Sequence, residues 1–140
     1  MLKSKIKTHK VGVTYNQPHF FILNKGYNCG KPCAQYWANC FVFLADDQDD
    51  MEYHYHIFMG LWELQFFRPV LIGSVVDYIR LGDLIDVAEE TLHSVNQGDR
   101  SFASIKNTLQ QIEDARNHLQ AQLRLLVKLR KSLFYKYLRA

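Results

Sequence analysis

Apolar and polar residues change rhythm along this chain. At the start, Lys3, Lys5 and Lys7 alternate with Leu2, Ser4, Ile6 and Thr8. Period two predicts a strand with one wet face over "LKSKIKTHKVGV". Lysines on the outer face suit an edge strand, where charge discourages unwanted pairing. "HFFILN" (19–24), introduced by Pro18, predicts a second and more buried strand. "ANCFVFLA" (38–45) predicts a third, covered on both faces because Phe41, Val42, Phe43 and Leu44 run without a polar break. Between them Gly26 and Gly30 bracket a loop, and Pro32 keeps it from becoming a helix. "DDQDD" (46–50) reads as a turn or a helix start.

"MEYHYHIFMGLWELQFF" (51–67) fits two periods. By twos, His54 and His56 share a face; at helical period, Tyr55, Phe58, Met59, Trp62 and Phe66 form one stripe. Asp49, Asp50 and Glu52 stand at its front, where a helix N-terminus favours acids. Seventeen residues also exceed the usual strand, so a helix is predicted. "PVLIGSVVDYIRL" then reads as extended, with Gly73 a bend. "GDLIDVAEETLHSV" is a helix capped by Asp83 or Gly82, with Leu84, Ile85, Ala88, Leu92 and Val95 on its apolar side. "NQGDRS" (96–101) breaks the chain.

From Ser101 onward the pattern is sharper. One heptad position reads Ile105, Ile112, Leu119, Leu126, Leu133, and its companion reads Phe102, Leu109, Arg116, Leu123, Arg130, Tyr137. Alternating steps of four and three over five heptads argue for one long helix with a packing seam. About 37 residues at 1.5 Å each give roughly 55 Å of helix. A domain of this size has a radius of gyration of about 14 Å, so the helix projects, bends or breaks. A projecting seam needs cover, and a second copy of the chain is the simplest cover. Arg116 and Arg130 would face themselves in a parallel in-register pair. An antiparallel pair, or packing on the acidic middle of the chain, suits them better. The interface residues predicted on this basis are Ile105, Leu109, Ile112, Leu119, Leu123, Leu126, Leu133 and Tyr137.

The expected architecture is therefore α+β: a small antiparallel sheet from the first 45 residues, packed with helices, and a long C-terminal helix with a coiled-coil-like seam. We expect one domain over residues 1–140, with a mixed body over 1–100 and the long helix over 101–140. The 140 residues, 48% apolar and 22% charged, suit a folded globular domain and not a disordered chain. No apolar run is long enough to span a bilayer. The start of the chain lacks the apolar core of a secretory signal, and three cysteines are a poor disulfide framework. Reduced thiols in a cytoplasm are the simplest reading.

The net charge of +3 hides its layout. Residues 1–45 hold six lysines and no acid, residues 46–99 hold twelve acids and two arginines, and residues 115–140 hold seven basic residues and no acid. The basic ends could pair with the acidic middle or remain solvated. On the sharper reading, one basic surface meets an anionic partner such as nucleic acid. Arg124, Lys128 and Lys131 line one stripe of the last helix, and Lys136 and Arg139 a neighbouring one. Such stripes can follow a phosphate backbone, with Phe134, Tyr135 and Tyr137 stacking on bases. They are equally common as snorkelling cations beside an apolar seam.

Candidate chemistry is sparse. Cys29 and Cys33 have the C-x3-C spacing of half a zinc site, and Cys40, His54 and His56 could complete one. On a helix, however, His54 and His56 diverge by about 200°. The plainer reading makes Cys40 a small core residue and Cys29 and Cys33 loop residues. No signature joins a cysteine to a base as a nucleophile would need. "GYNCGKP" falls short of a phosphate loop, because the spacing is short and Pro32 follows the lysine. "DDQDDME" lacks the glycine and terminal glutamate of a calcium loop. No catalytic residue, metal, cofactor or small-molecule ligand is predicted.

"NCGKPCAQYWANCFVF" together with "FRPVLIGSVVDYIRLGDL" resembles a family of small, functionally uncharacterised Bacteroidetes proteins. That resemblance implies a bacterial, intracellular protein and no assigned activity. Separately, "GSVVDYIRLGDL" (73–84) and "LRLLVKLRKSLFYKYL" (123–138) are similar to parts of the DNA-specificity subunits of type I restriction systems. Those subunits join recognition domains through long helices that pack together, so this likeness implies DNA binding. We expect a non-enzymatic, cytoplasmic interaction protein that forms a homo-oligomer, most simply a dimer, through its last helix. The alternative is a DNA- or RNA-binding accessory protein using the basic ends.

Overall fold

Four short strands carry the apolar alternation of the first 45 residues into one antiparallel sheet. The structure, a computed structural model, describes residues 1–96 and 102–139. Of the break predicted at "NQGDRS" (96–101), Asn96 ends a helix and residues 97–101 lie outside the described residues. The chain forms two compact units, Met1–Gly98 and Asp99–Ala140.

In the first unit, β1 (Ile6–Thr8), β2 (His19–Leu23), β3 (Pro32–Cys33) and β4 (Cys40–Leu44) make a sheet in the order β1-β4-β2-β3. Every neighbouring pair is antiparallel. The register sets Ile6 opposite Phe43, Phe20 opposite Phe43 and Phe21 opposite Val42. Because side chains alternate across a sheet, Ile6, Phe20, Ile22, Phe41 and Phe43 share one face. Helices α2 (Gln48–Glu63) and α3 (Leu81–Asn96) supply Phe58, Leu61, Leu84, Ile85 and Ala88 to the same buried cluster. Phe21, Cys40 and Val42 form a second buried cluster on the other face. β4 is thus covered on both sides, as its unbroken apolar run predicts.

Three local readings need correction. The opening alternation is not one strand: Leu2–Lys5 form a single turn of helix, α1, and only Ile6–Thr8 extend. Leu2 and Ile6 are four apart and both buried, and the Leu2 amide donates to Glu89 Oε1 at 3.0 Å. Anchorage on α3 therefore chooses helix over strand. The second correction concerns the end of α2. The helix stops at Glu63, and Gln65 takes a left-handed φ of 62°. This reversal buries Phe67 and leaves Phe66 half exposed, so Phe66 does not belong to the α2 stripe. Gly30, at φ 89°, makes room for Phe67, whose ring would strike any Cβ there. Third, α3 starts at Leu81, ahead of the predicted caps Gly82 and Asp83. The N-terminus of α2 is as expected: Asp47 caps it, accepting from the Asp50 amide at 2.8 Å.

Between α2 and α3 the chain makes a 3-10 turn (Arg68–Val70) and a narrow loop closed by bridges between Ile72 and Tyr78 and between Lys25 and Tyr78. Gly73 bends this loop at φ 125°, against the Val76 carbonyl. The second unit is one unbroken helix, α4 (Ala103–Arg139), of 37 residues. The fold is mixed α+β with a long C-terminal helix.

Candidate interaction surface

Helix α4 follows directly from its composition. Residues 102–139 contain neither glycine nor proline and are rich in Leu, Gln, Lys, Arg and Ala, the residues that lose least on becoming helical. Lys136 and Arg139 fall in its last turn, where the helix dipole favours cations. Pairs four apart brace its surface: Gln110 Nε2 donates to Asp114 Oδ1 at 3.0 Å, and Arg139 donates to the Tyr135 hydroxyl at 2.6 Å.

What the helix lacks is burial. None of its residues is buried. Along the predicted seam the exposed fraction runs from 52% at Ile105 through 59% at Ile112 to 64% at Leu119, with Leu123, Leu126 and Leu133 in the same range. Leu109 is half-buried and Tyr137 is 80% exposed. Ile112, Ala115, Arg116, Leu119, Gln120 and Leu123 bound a shallow, mostly apolar hollow along this line. Arg116 therefore lies within the seam, lending its carbon stem to it. The seam also widens toward the C-terminus: Val127, Leu129 and Phe134 are exposed apolar residues flanking it, while Leu125 and Leu138 are exposed on the far face. The signal for them is the run "LRLLVKL", denser than a two-position heptad needs.

The basic residues Arg124, Lys128, Lys131, Lys136 and Arg139 are all exposed on α4. The Arg139 guanidinium sits 4.6 Å over the Tyr135 ring, so this ring already has a partner on one face. Part of the basic N-terminus is neutralised inside the body. The Lys5 ammonium lies 2.7 Å from both Asp46 Oδ2 and Asp50 Oδ2. Burial would pull the Lys5 pKa down, but its hydrogen bonds to the two carboxylates prevail and raise it. For Asp50, burial pushes upward, yet the hydrogen bonds from Lys5 and from the Asp46 amide leave its pKa lowered.

The cysteines and histidines divide among separate places. Cys29 belongs to the main core, whereas Cys33 and Cys40 belong to the cluster on the other face of the sheet. All three are free thiols. Burial, with the nearby Asp77 carboxylate, pushes Cys29 up to about 11; burial, with Cys40 beside it, does the same to Cys33. Such thiols hold few thiolates at neutral pH and make poor nucleophiles. His54 and His56 lie on α2; His54 Nδ1 is 2.9 Å from the Asp50 carbonyl, and its ring packs 4.7 Å from that of Phe43. Among the described residues, no three of His, Cys, Asp and Glu gather as a metal would require.

Two features of the body escape sequence reasoning. His9 is 7% exposed and packs against Tyr15, Phe21 and Tyr36, with its Nδ1 3.1 Å from the Tyr15 hydroxyl. Its Nε2 has no hydrogen-bond partner among the described residues. A surface cavity of about 580 Å³ is lined by Asn28, Trp62, Glu63, Gln65, Arg68 and Asp77, among others. The Lys31 ammonium lies 4.7 Å over the Trp62 ring. Both features depend on loops meeting across the fold, which no periodicity encodes. Among the described residues, no helix is long and apolar enough to cross a membrane.

Compared with known proteins, residues 6–136 match the model of a family of unknown function, DUF6943. No curated protein and no solved structure matches.

Proposed function

The chain belongs to DUF6943, a family of unknown function, and from that premise we propose that it is a non-enzymatic interaction protein that self-associates through α4. One observation carries this reading: a 37-residue helix holds an apolar seam over five heptads, no residue of which is fully buried and most of which is exposed. Monomeric soluble proteins rarely leave so long an apolar line uncovered. A second copy brings an identical line of matching length, and two-fold pairs are the commonest oligomers. The protonated thiols fit a protein without a cysteine nucleophile, and three free cysteines fit a reducing cytoplasm. The resemblance of its sequence to Bacteroidetes proteins favours a bacterial cytoplasm.

Light scattering on the wild type tests the proposal, and we expect the mass of a dimer. Leu119→Arg or Leu126→Arg removes roughly 1.5–3 kcal/mol of leucine burial from each copy. The dissociation constant then rises by at least about a hundredfold, and the variants run as monomers. A monomeric wild type at high protein concentration rejects the reading.

The second reading is nucleic-acid binding along Arg124, Lys128, Lys131, Lys136 and Arg139. It is favoured by their common exposure on a helix that carries no acid after Asp114. The likeness to restriction DNA-specificity subunits points the same way.

A further inference from the structure

We propose that two copies of α4 pair antiparallel and in one register, with the two-fold axis at residue 121, between Leu119 and Leu123. This rests on the self-association reading above and adds its geometry. Three observations on α4 lead to it.

The first is charge. The helix carries six cations from Arg124 onward and only two acids, Glu113 and Asp114, both in its N-terminal half. A parallel in-register pair sets each cationic half beside its own copy, with all six like charges level with their counterparts and Arg130 facing itself across the seam. An antiparallel pair separates the two cationic halves to opposite ends. It also brings Glu113 and Asp114 level with Lys128 and Arg130 of the second copy.

The second is the length of the helix. In an antiparallel pair, residues of the two copies share a level when their numbers have a fixed sum. Full overlap of Ala103–Arg139 with itself makes that sum 242, since 103 and 139 add to it. The two-fold axis places the Phe102 series of both copies on the same side of the contact, so a layer fills only when it takes one residue from each series. A sum of 242 meets this condition all along the helix. Leu119 meets Leu123, Leu109 meets Leu133 and Ile105 meets Tyr137. Maximum overlap and correct side-chain interlocking thus occur in the same register.

The third is the pair of arginines. In this register Arg116 meets Leu126, and Arg130 meets Ile112 beside Glu113, so neither arginine meets itself. The hollow formed by Ile112, Ala115, Arg116, Leu119 and Leu123 lies at the centre of the pair. Arg116 can cover the opposing leucine with its stem while its guanidinium reaches water.

Single-cysteine substitution in the full-length chain tests the geometry. The three native thiols all have raised pKa values, and Cys29 and Cys40 are buried, so they react slowly and leave a low background. Gln122 is exposed and, three residues after Leu119 and four before Leu126, flanks that series of the seam, which the two-fold axis places on the same side in both copies. Under mild oxidation, Gln122→Cys is expected to cross-link to itself. Leu109→Cys and Leu133→Cys should each fail alone and cross-link with one another when the two variants are mixed and allowed to exchange. Light scattering on each variant before oxidation reports whether it still pairs. If the dimer forms but Leu133→Cys links to itself while Gln122→Cys does not, the pair is parallel. That result overturns this geometry and leaves self-association standing. A dimer in which Gln122→Cys stays unlinked overturns the register, and a monomer overturns both.

Discussion

Lys5 joins the two charge classes that the sequence keeps apart. It comes from the basic first stretch and ends 2.7 Å from two carboxylates of the acidic middle. Asp50 in turn caps the strand end by accepting from the Asp46 amide at 3.0 Å. Opposite effects of pH follow for the two partners. Asp50 has a lowered pKa, so its contribution to stability is complete above the unfolded value, about pH 4, and is lost as pH falls through the folded value. Lys5 has a raised pKa, so its contribution is complete below about pH 10 and is lost as pH rises through the folded value. Asp50→Asn should lower stability at pH 7 by about 1–2 kcal/mol. It should also narrow the difference in stability between pH 7 and pH 3. Urea unfolding at both pH values measures this, and an unchanged difference would show that the Lys5–Asp50 contact contributes nothing.

Among the elements, α4 is the most legible in the sequence and the least supported by its surroundings. Its period of four and three continues over five heptads, so no strand or loop reading competes with it. β2 and β4 were legible for a related reason: their apolar runs are bounded by Pro18, the glycines and "DDQDD". Legibility fails where two periods coincide or where a contact far along the chain decides. Leu2 and Ile6 fit a period of two and a helical period equally, and only Glu89, 87 residues away, selects the helix. β3 is two residues long and contains Pro32, which an edge strand tolerates; proline gave only a helix-breaking signal. The Gln65 reversal exchanges Phe66 for Phe67, and the orphaned Nε2 of His9 depends on an aromatic group built from three segments. For α4 itself, tertiary burial supplies little, and lone helices are marginal in water even when their sequence favours them. Its stability should then come from association. The helical signal near 222 nm should include a transition that shifts to higher temperature with protein concentration. In Leu126→Arg this dependence should disappear. A wild-type melt independent of concentration would place the source of its stability in the single chain.

For the molecule as a whole, the charge layout separates the two functional readings by the sign of one effect. Lys5 is already engaged by Asp46 and Asp50, and the densest run of exposed cations is the one on α4 from Arg124 onward. If its five stripe residues neutralise five phosphates, log affinity falls with log salt at a slope of about −4.5, which is roughly a 500-fold loss between 50 and 200 mM salt. Self-association behaves in the opposite way. Each copy brings a surplus of cations, so the long-range term between copies is repulsive and added salt screens it. The apolar seam itself is insensitive to screening. Sedimentation from 50 to 500 mM salt should therefore show a dimer that holds or tightens, and binding to a short duplex at 50 mM should be weak or lost by 200 mM. A dimer that dissociates as salt rises would mean that ion pairs, not the leucines and isoleucines of α4, hold it together. The seam would then be left without a partner, and the five exposed cations would become the more important surface.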